Sequence, residues 1–597
     1  MIAQFCHAAI NMSIMRILHI HPEDDPEKGP WASLRWDRIV DLGLGGAKGY
    51  ERWTRRFHCS VVPLDSFRSG FDVVNQVRDL LRIGCNRLVD QHGLDWWEIL
   101  SILLTGEVET LILLQRFVRT LRTADEIYVS RPGLHASILK FLVPSQVRVF
   151  PSASGIREGR VAHYVRVLRR LSPQQIFDVF WDKYDSGYQF RGRLVRRPSA
   201  SKKPVVLVPT AYVNVSRTGM AYARTFPDEN FLLVSTRRSG WVKDPPPNVT
   251  TVWLSSYAAV QDRSEEFKEI ERRWRLILKE LEEIPEFHIL SRLGYWDEFP
   301  QRLRHGIEVR DAWLNVLDNE PVHGVLCADD SNPYTRIPLL LAKARGLPNI
   351  ACHHGALDSR YIFKRAYGDV IWVKGRMEKD YLVRRCKVPE ERVEIAAPLL
   401  PSNWQQSEYS KPETFRPYIL FISEAADVAS GRPEEFYWDI LPSLADLAIA
   451  TGRQLIVKLH PAESRRERAR FVARMLSPEQ NAVTRIVSGP LHEDLLEKTW
   501  FGITILSTVA IECAIRGIPC FLCKWLEFWP YGYVEQFLRY GAGIGLNDPD
   551  EIRNIPEYLR QYRAEKEVKE NCWQPVKPGR LRELLSSSRE DVITAAS

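Results

Sequence analysis

A histidine followed by a proline stands directly after a short apolar run. The run, residues 455–459, is aliphatic apart from Lys458, and His460 and Pro461 come next. Such a run is typical of a parallel strand covered on both faces, and a proline ends the pairing of a strand. Ligands of open α/β sheets bind at the carboxyl ends of the strands, where an imidazole can donate to a phosphate oxygen. The competing interpretation is that His460 only forms a turn.

Two hydroxyl residues occupy a similar place further along the chain. Residues 502–505 are typical of a strand, and Ser507 and Thr508 follow where helical material begins. The first amides of a helix have no partner within it and favour anions, so this pair suits a phosphate group. Glu512 comes one helical turn later and suits two ribose hydroxyls. The alternatives are an N-cap for Ser507 and Thr508 and an exposed position for Glu512.

Acidic and imidazole side chains follow two further strand-like runs. Asp329 and Asp330 come after residues 324–327, whereas His353 and His354 come after residues 349–352. Carboxyl ends of parallel strands lie at one edge of a sheet, so we expect these side chains near each other. A group transfer to a hydroxyl needs a base, and any of the four suits that role. The alternatives are a helix cap for the aspartates and a core position for one histidine.

The order of the His-Pro and Ser-Thr motifs resembles the carboxyl-terminal domain of GT-B glycosyltransferases, most clearly over residues 455–522. More narrowly, it resembles capsule-polysaccharide enzymes, such as Kdo transferases and bacterial sialyltransferases, and CDP-glycerol glycerophosphotransferases. In those families both motifs contact the nucleotide phosphates. The resemblance therefore implies phosphate binding by His460, Pro461, Ser507 and Thr508.

Other residues fit the same resemblance. Glu512 belongs to a pattern similar to the Glu…Gly-x-Pro of GT-B enzymes, in which a loop near Ser423 also approaches the donor phosphates. The Asp329-Asp330 pair is similar to the acidic pair of bacterial sialyltransferases, with Ser331 where that pattern has glycine. His354-Gly355 is similar to a pair in the CDP-glycerol enzymes. The candidate nucleotide site therefore comprises Ser423, Lys458, His460, Pro461, Ser507, Thr508 and Glu512. The candidate catalytic residues are Asp329, Asp330, His353 and His354.

The elements that would position these residues alternate between strand and helix. Apolar runs at 15–21, 204–209 and 417–423 each open such a block, which predicts layered α/β domains with parallel sheets. Polar, proline-flanked segments suggest domains at 15–198, 203–402 and 415–575. The predicted fold is α/β of the GT-B type, with two facing Rossmann-like domains and an additional N-terminal α/β domain, for which a Rossmann-like fold is one option.

Composition limits the classes of function. The chain has 597 residues, of which 45% are hydrophobic and 26% charged, which is ordinary for globular proteins. A net charge of +7 suits anionic small molecules or an anionic membrane surface and is too weak to indicate nucleic acid. We see no secretory signal and no membrane-spanning run. The ten cysteines are scattered without zinc-site spacing, which favours a reduced, cytosolic compartment.

The predicted function is transfer of a sugar or sugar acid from a nucleotide-activated donor to a surface-polysaccharide or lipid-linked glycan acceptor. No metal or other cofactor is expected. The protein is predicted to act in the cytoplasm, with peripheral association at the inner face of the membrane as an option. Three alternatives stay open: a CDP-polyol phosphotransferase of the same fold, a sugar-nucleotide epimerase, and a non-catalytic polysaccharide assembly protein.

Overall fold

The computed structural model describes twelve segments of the chain. These are residues 14–21, 24–43, 45–151, 203–258, 262–355, 357–400, 415–424, 433–460, 463–489, 491–526, 531–562 and 566–586. Pro461 lies outside them. No helix within these segments is both long enough and apolar enough to cross a membrane.

The apolar runs of the sequence form three sheets in which every recorded strand pair is parallel. The first sheet contains β1 (Arg16–Ile20), β2 (Arg38–Asp41), β3 (Ser60–Pro63), β4 (Glu126–Val129) and β5 (Val147–Val149). The second contains β6 (Val205–Thr210), β7 (Phe231–Ser235), β8 (Val249–Trp253), β9 (Val322–Cys327), β10 (Asn349–Cys352), β11 (Val370–Val373) and β12 (Val393–Ile395). The third contains β13 (Tyr418–Ile422), β14 (Gln454–Lys458), β15 (Thr484–Val487), β16 (Thr499–Thr504), β17 (Cys520–Cys523) and β18 (Ile544–Leu546).

The strand order is the same at the centre of each sheet. The orders are β3-β2-β1-β4-β5, β12-β11-β10-β9-β6-β7-β8 and β15-β14-β13-β16-β17-β18. In every sheet the first strand therefore lies between the second and the fourth, as in a Rossmann fold, and the crevice for a ligand opens between the first and the fourth. The predicted fold class is confirmed: two Rossmann-like sheets and a further N-terminal α/β sheet.

Helices connect and cover the strands. The first sheet carries α1 (Ala47–Phe57), α2 (Asp72–Arg82), α3 (Trp96–Ser101), α4 (Thr105–Arg119) and α5 (Leu134–Leu142). The second carries α6 (Val213–Thr225), α7 (Ser264–Leu281), α8 (Pro285–Arg292), α9 (Phe299–Asn319), α10 (Pro333–Ala344) and α11 (Arg376–Asp380). The remainder are α12 (Pro433–Ala450), α13 (Arg465–Met475), α14 (Pro478–Ala482), α15 (Glu493–Glu497), α16 (Val509–Ile515), α17 (Tyr533–Arg539), α18 (Ile555–Gln561), α19 (Lys566–Cys572) and α20 (Arg580–Ser586).

The first sheet and its helices contact both of the other sheets. Trp97 of α3 stacks on Trp274 of α7, with ring centroids 6.0 Å apart, inside one continuous apolar core. On the other side, the backbone amides of Ala47 and Lys48 donate to the carboxylate of Asp439 on α12, at 2.7 and 3.0 Å. The N-terminal unit therefore joins the two sheets whose edges form the candidate site.

Candidate functional site

The carboxyl edges of the second and third sheets face each other. A Cβ atom built on Gly355, just beyond β10, would lie 3.8 Å from the Cγ2 atom of Thr508, which follows β16. Nearby, the backbone amide of Ser359 donates to the hydroxyl of Tyr533 at 2.8 Å. The space between the two edges is the candidate site. We name its sides the histidine wall (Asp329, His353 and His354) and the lysine wall (Lys458, His460 and Glu512).

The histidine wall is built by two neighbouring strands. β9 and β10 pair in parallel with Cys327 opposite Ala351, so the residues that follow them emerge at one edge. One carboxylate oxygen of Asp329 and one ring nitrogen each of His353 and His354 lie within 4.8 Å of one another. The structure thus brings together three of the four residues that the sequence nominated as candidate bases.

His354 carries an uncommitted lone pair. Its ring donates to the Ala328 carbonyl, and its buried Nδ1 atom has no hydrogen-bond partner among the residues described. The proton therefore resides on Nε2 and the lone pair on Nδ1. Burial lowers the pKa of His354, and the adjacent Asp329 carboxylate partly offsets this effect. Burial raises the pKa of Asp329, with His354 opposing. Such a pair can accept a proton and hold it.

His353 is more tightly engaged. Its Nδ1 atom accepts a hydrogen bond from the Gly355 amide at 3.0 Å, and its Nε2 atom lies 3.7 Å from the Asp358 carboxylate. Burial lowers the pKa of His353, and Asp358 partly offsets this. The Lys374 ammonium donates to the carbonyls of His353 and Gly355, at 2.7 and 2.6 Å, and so fixes the turn. These contacts hold the His353 ring in one orientation, which suits a residue that keeps the histidine wall in position.

Asp330 lies beneath the wall rather than on it. Its side chain is fully buried and accepts a hydrogen bond from the Lys364 ammonium at 2.6 Å. Its other carboxylate oxygen lies 3.7 Å from an Arg336 guanidinium nitrogen. Because both neighbours are buried cations, the arrangement suits a structural ion pair better than a base that meets substrate.

The lysine wall extends from the end of β14. The backbone amide of His460 donates to the Glu463 carboxylate at 2.9 Å, and that carboxylate also accepts from Tyr437 and Arg468. Burial lowers the pKa of His460, and Glu463 partly offsets this. Burial likewise lowers the pKa of Lys458, and Arg217 lowers it further.

Arg217 comes from the opposite side of the cleft. It is an exposed residue of α6, the helix that follows the first strand of the second sheet. Its charge reaches Lys458 and also Glu512, whose pKa burial raises to about 7 against the opposing charges of Arg516, Arg217 and Lys458. Cations from both sheets therefore converge on one part of the cleft.

The hydroxyl candidates differ in their placement. Ser507 accepts from the amide of Val509 at 3.4 Å, whereas Thr508 is the N-cap residue of α16, makes no capping bond with its side chain and is exposed towards Gly355. The helix that they precede, α16, has only seven residues, so its dipole is small. Ser423 is buried and its hydroxyl accepts from Tyr437 at 2.9 Å, and Tyr437 also donates to the Glu463 carboxylate that holds the His460 amide. These placements leave Thr508 as the hydroxyl nearest to the opposite wall.

Sequence reasoning missed four residues that shape the site. They are Arg217, Asp358, Lys374 and Glu424. Burial raises the pKa of Glu424 to about 7, and its carboxylate accepts from Thr504 at 3.2 Å beside the crevice of the third sheet. Its position directly after a nominated strand was a usable signal. Arg217 carried none, because a single arginine in an amphipathic helix is typical of a solvated face.

The three ligand atoms of the histidine wall raise the question of a metal ion. Two imidazoles and a carboxylate are a donor set that zinc accepts. However, the lone pair on His353 Nδ1 is directed at the Gly355 amide, and Nε2 faces a second carboxylate. Only Asp329 and His354 then offer uncommitted lone pairs, and two ligands make a poor site.

No protein-family profile and no curated protein matches the chain. Solved structures similar to it include the S. aureus MnaA–UDP co-structure, at 10% identity over 63% of this chain and 93% of that chain, with a TM-score of 0.38. The wall teichoic acid polymerase TagF is 11% identical over 74% of this chain and 100% of that chain, with a TM-score of 0.37. MurG from Acinetobacter baumannii is 11% identical over 66% and 99%, with a TM-score of 0.36. At such low scores, function has to be argued from the site.

Proposed function

We propose that the protein is a glycosyltransferase that moves a sugar or sugar acid from a nucleotide donor to a surface-polysaccharide or lipid-linked glycan acceptor. One observation carries the proposal. An acid–base pair, Asp329 and His354, lies in a cleft between two Rossmann-like sheets where the positive charges of Arg217 and Lys458 converge beside the imidazole of His460. Nucleophile activation and leaving-group stabilisation are the two requirements of such a transfer.

In the proposed step the acceptor hydroxyl lies against the carboxylate–imidazole pair of Asp329 and His354. As the hydroxyl oxygen bonds to the anomeric carbon, His354 takes its proton and Asp329 stabilises the resulting imidazolium. The bond between the anomeric carbon and the phosphate oxygen breaks, and its electrons leave with the nucleotide. The charges of Arg217 and Lys458 offset the negative charge that develops on that phosphate, and the neutral His460 imidazole can donate a hydrogen bond to it.

The lysine wall also offers contacts to the rest of the nucleotide. Glu512 lies near Lys458 and suits the ribose hydroxyls, while Thr508 suits a phosphate oxygen. Pro461, which follows His460, is assigned to the same motif. No metal ion is part of this proposal, because the cationic side chains supply the positive potential that the leaving phosphate needs.

A second candidate uses the same cleft. The Asp329–His354 pair, followed by Gly355, would equally activate a polyol hydroxyl against the phosphate of a CDP-alcohol. The two reactions differ in where the phosphate ends. Phosphorus NMR of the product separates them, because phosphate enters the polymer in the second reaction and stays on the nucleotide in the first.

A thermal-shift screen with CMP, CDP, UDP and GDP tests the nucleotide site. A ligand that binds only the folded protein raises its melting temperature by mass action. We expect a rise with at least one nucleotide, and a smaller rise in His460→Ala. His288→Ala, at an exposed histidine on α8, is the matched control and should respond like the wild type. No response to any of the four nucleotides would contradict the proposal.

A further inference from the structure

A buried series of alternating charges begins in the N-terminal unit, far from the cleft in sequence. Glu98 lies on α3, and its carboxylate accepts a hydrogen bond from the Arg336 guanidinium at 2.5 Å. The same oxygen accepts from the backbone amides of Arg365 and Ala366, at 3.0 and 2.7 Å. Glu98 therefore holds both a cation and a loop of the second sheet.

The series continues towards the cleft through Arg336. This side chain donates to the backbone carbonyl of Asp330 at 3.1 Å, and the Asp330 carboxylate in turn accepts from Lys364 at 2.6 Å. Glu98, Arg336, Asp330 and Lys364 are all buried. Water cannot replace a missing partner at such depth, so each charge depends on the next for its position.

The series ends at the histidine wall. The Lys364 ammonium lies 3.5 Å from the Asp358 carboxylate, which also accepts from Ser331 at 2.8 Å. Asp358 lies 3.7 Å from Nε2 of His353. Burial would raise the pKa of Asp358, but the charges of Lys364 and His353 outweigh it and hold that pKa well below its usual range. A fixed carboxylate at this point sets the tautomer of the imidazole.

We propose that Glu98 is a positioning residue for the histidine wall, so that the N-terminal unit completes the active site. This inference rests on the proposed function for its kinetic consequences only. Without the Glu98 carboxylate, Asp330 is the only acidic side chain of the series left to pair with Arg336. Arg336 then competes with Lys364 for the Asp330 carboxylate. Lys364 and Asp358 then move, and the turn that carries His353 and His354 loses its support.

The test compares Glu98→Gln with Asp90→Asn. Asp90 crosses the same interface and pairs with the buried Arg310 at 2.8 Å. When Asp90 is lost, Arg310 still pairs with Glu266 and Asp311. None of these residues belongs to the series that runs from Glu98 to the histidine wall. The Asp90–Arg310 pair is therefore a matched interface pair outside that series.

We expect Glu98→Gln to lower kcat at least tenfold while the KM for the nucleotide donor stays within twofold. We also expect its ring nitrogen NMR signals for His353 to shift in protein without substrate. Asp90→Asn should change neither measurement. If both variants behave alike in kcat and in the ring signals, the inference is wrong. If the wild type turns over no donor, the proposed function fails, while the ring signals still decide whether Glu98 positions His353.

A double variant, Glu98→Gln with Arg336→Gln, guards against simple unfolding. It removes both charges of the buried pair and so leaves no unpaired ion. We expect it to melt closer to the wild type than Glu98→Gln does, yet to keep the shifted His353 signals. Recovery of both the wild-type melting temperature and the wild-type signals would show that Glu98 serves folding alone and would overturn the inference.

Discussion

The two walls of the cleft are built on opposite plans. The histidine wall is held from behind by buried ions, with Lys364 on Asp330 and Lys374 on the turn that carries His353. The lysine wall is held at its backbone, where Glu463 accepts from the His460 amide, and the side chains of Lys458 and Arg217 bring positive charge to one part of the cleft. One wall positions an acid–base pair, and the other gathers positive charge.

This difference corresponds to two kinds of work. A base has to meet one hydroxyl in one geometry, and fixed supports reduce the cost of reaching that geometry. Phosphate groups are recognised by charge over a wider range of positions, so partly solvated cations suffice. We therefore expect changes in the histidine wall to affect turnover, and changes in the lysine wall to affect affinity.

The largest effect is expected from His354→Ala. Loss of a general base lowers the rate by roughly 10²–10⁴-fold, whereas nucleotide affinity should stay unchanged because the proposed function assigns the phosphate groups to the other wall. Steady-state kinetics and calorimetric titration of the nucleotide measure the two quantities. His288→Ala provides the control for loss of an imidazole. A variant that loses affinity but keeps its rate would reverse the assignment of the walls.

A smaller effect is expected from Arg217→Gln. This arginine comes from the second sheet but acts on Lys458 and Glu512, so it should behave as part of the lysine wall. Removing one charge-assisted contact should weaken nucleotide binding about tenfold and make the affinity less sensitive to salt. Arg224→Gln, at an exposed position of the same helix, is the matched control. Equal losses in both variants would show only a general charge effect.

The sequence predicted the strands better than the contacts between them. The runs at 15–21, 204–209, 417–423 and 455–459 located β1, β6, β13 and β14, because strands buried on both faces are continuously apolar. The strands β2, β3 and β18 were missed. They are three or four residues long, and β18 contains Gly545, so their apolar signal is too short to stand out.

The candidate site was predictable where it follows the strands directly. Asp329, His353 and His354 could be grouped because parallel strands end at one edge. Ser423 could not be excluded, since the sequence does not show that its hydroxyl meets Tyr437. Arg217 and Glu98 depend on how separate sheets pack together, and no local pattern encodes such distant partners.

The smallest expected effect is a pH dependence of stability that comes from Glu512 on the lysine wall. Burial raises its pKa to about 7, above the value of about 4.3 expected in an unfolded chain. Between these pH values the folded protein keeps a proton that the unfolded chain has released, so the free energy of unfolding falls as the pH rises. The fall is complete above pH 7. Glu512→Gln has no titrating carboxyl at this position, so this fall is absent from the variant.

We therefore expect the melting temperature of Glu512→Gln, measured relative to that of the wild type, to rise by about 2 °C between pH 5 and pH 8. Differential scanning calorimetry at both pH values, with the exposed Glu467→Gln as control, measures it. A difference that does not change with pH would mean that Glu512 is solvated. The lysine wall would then be open along its whole length, and its contrast with the histidine wall would be sharper than these contacts imply.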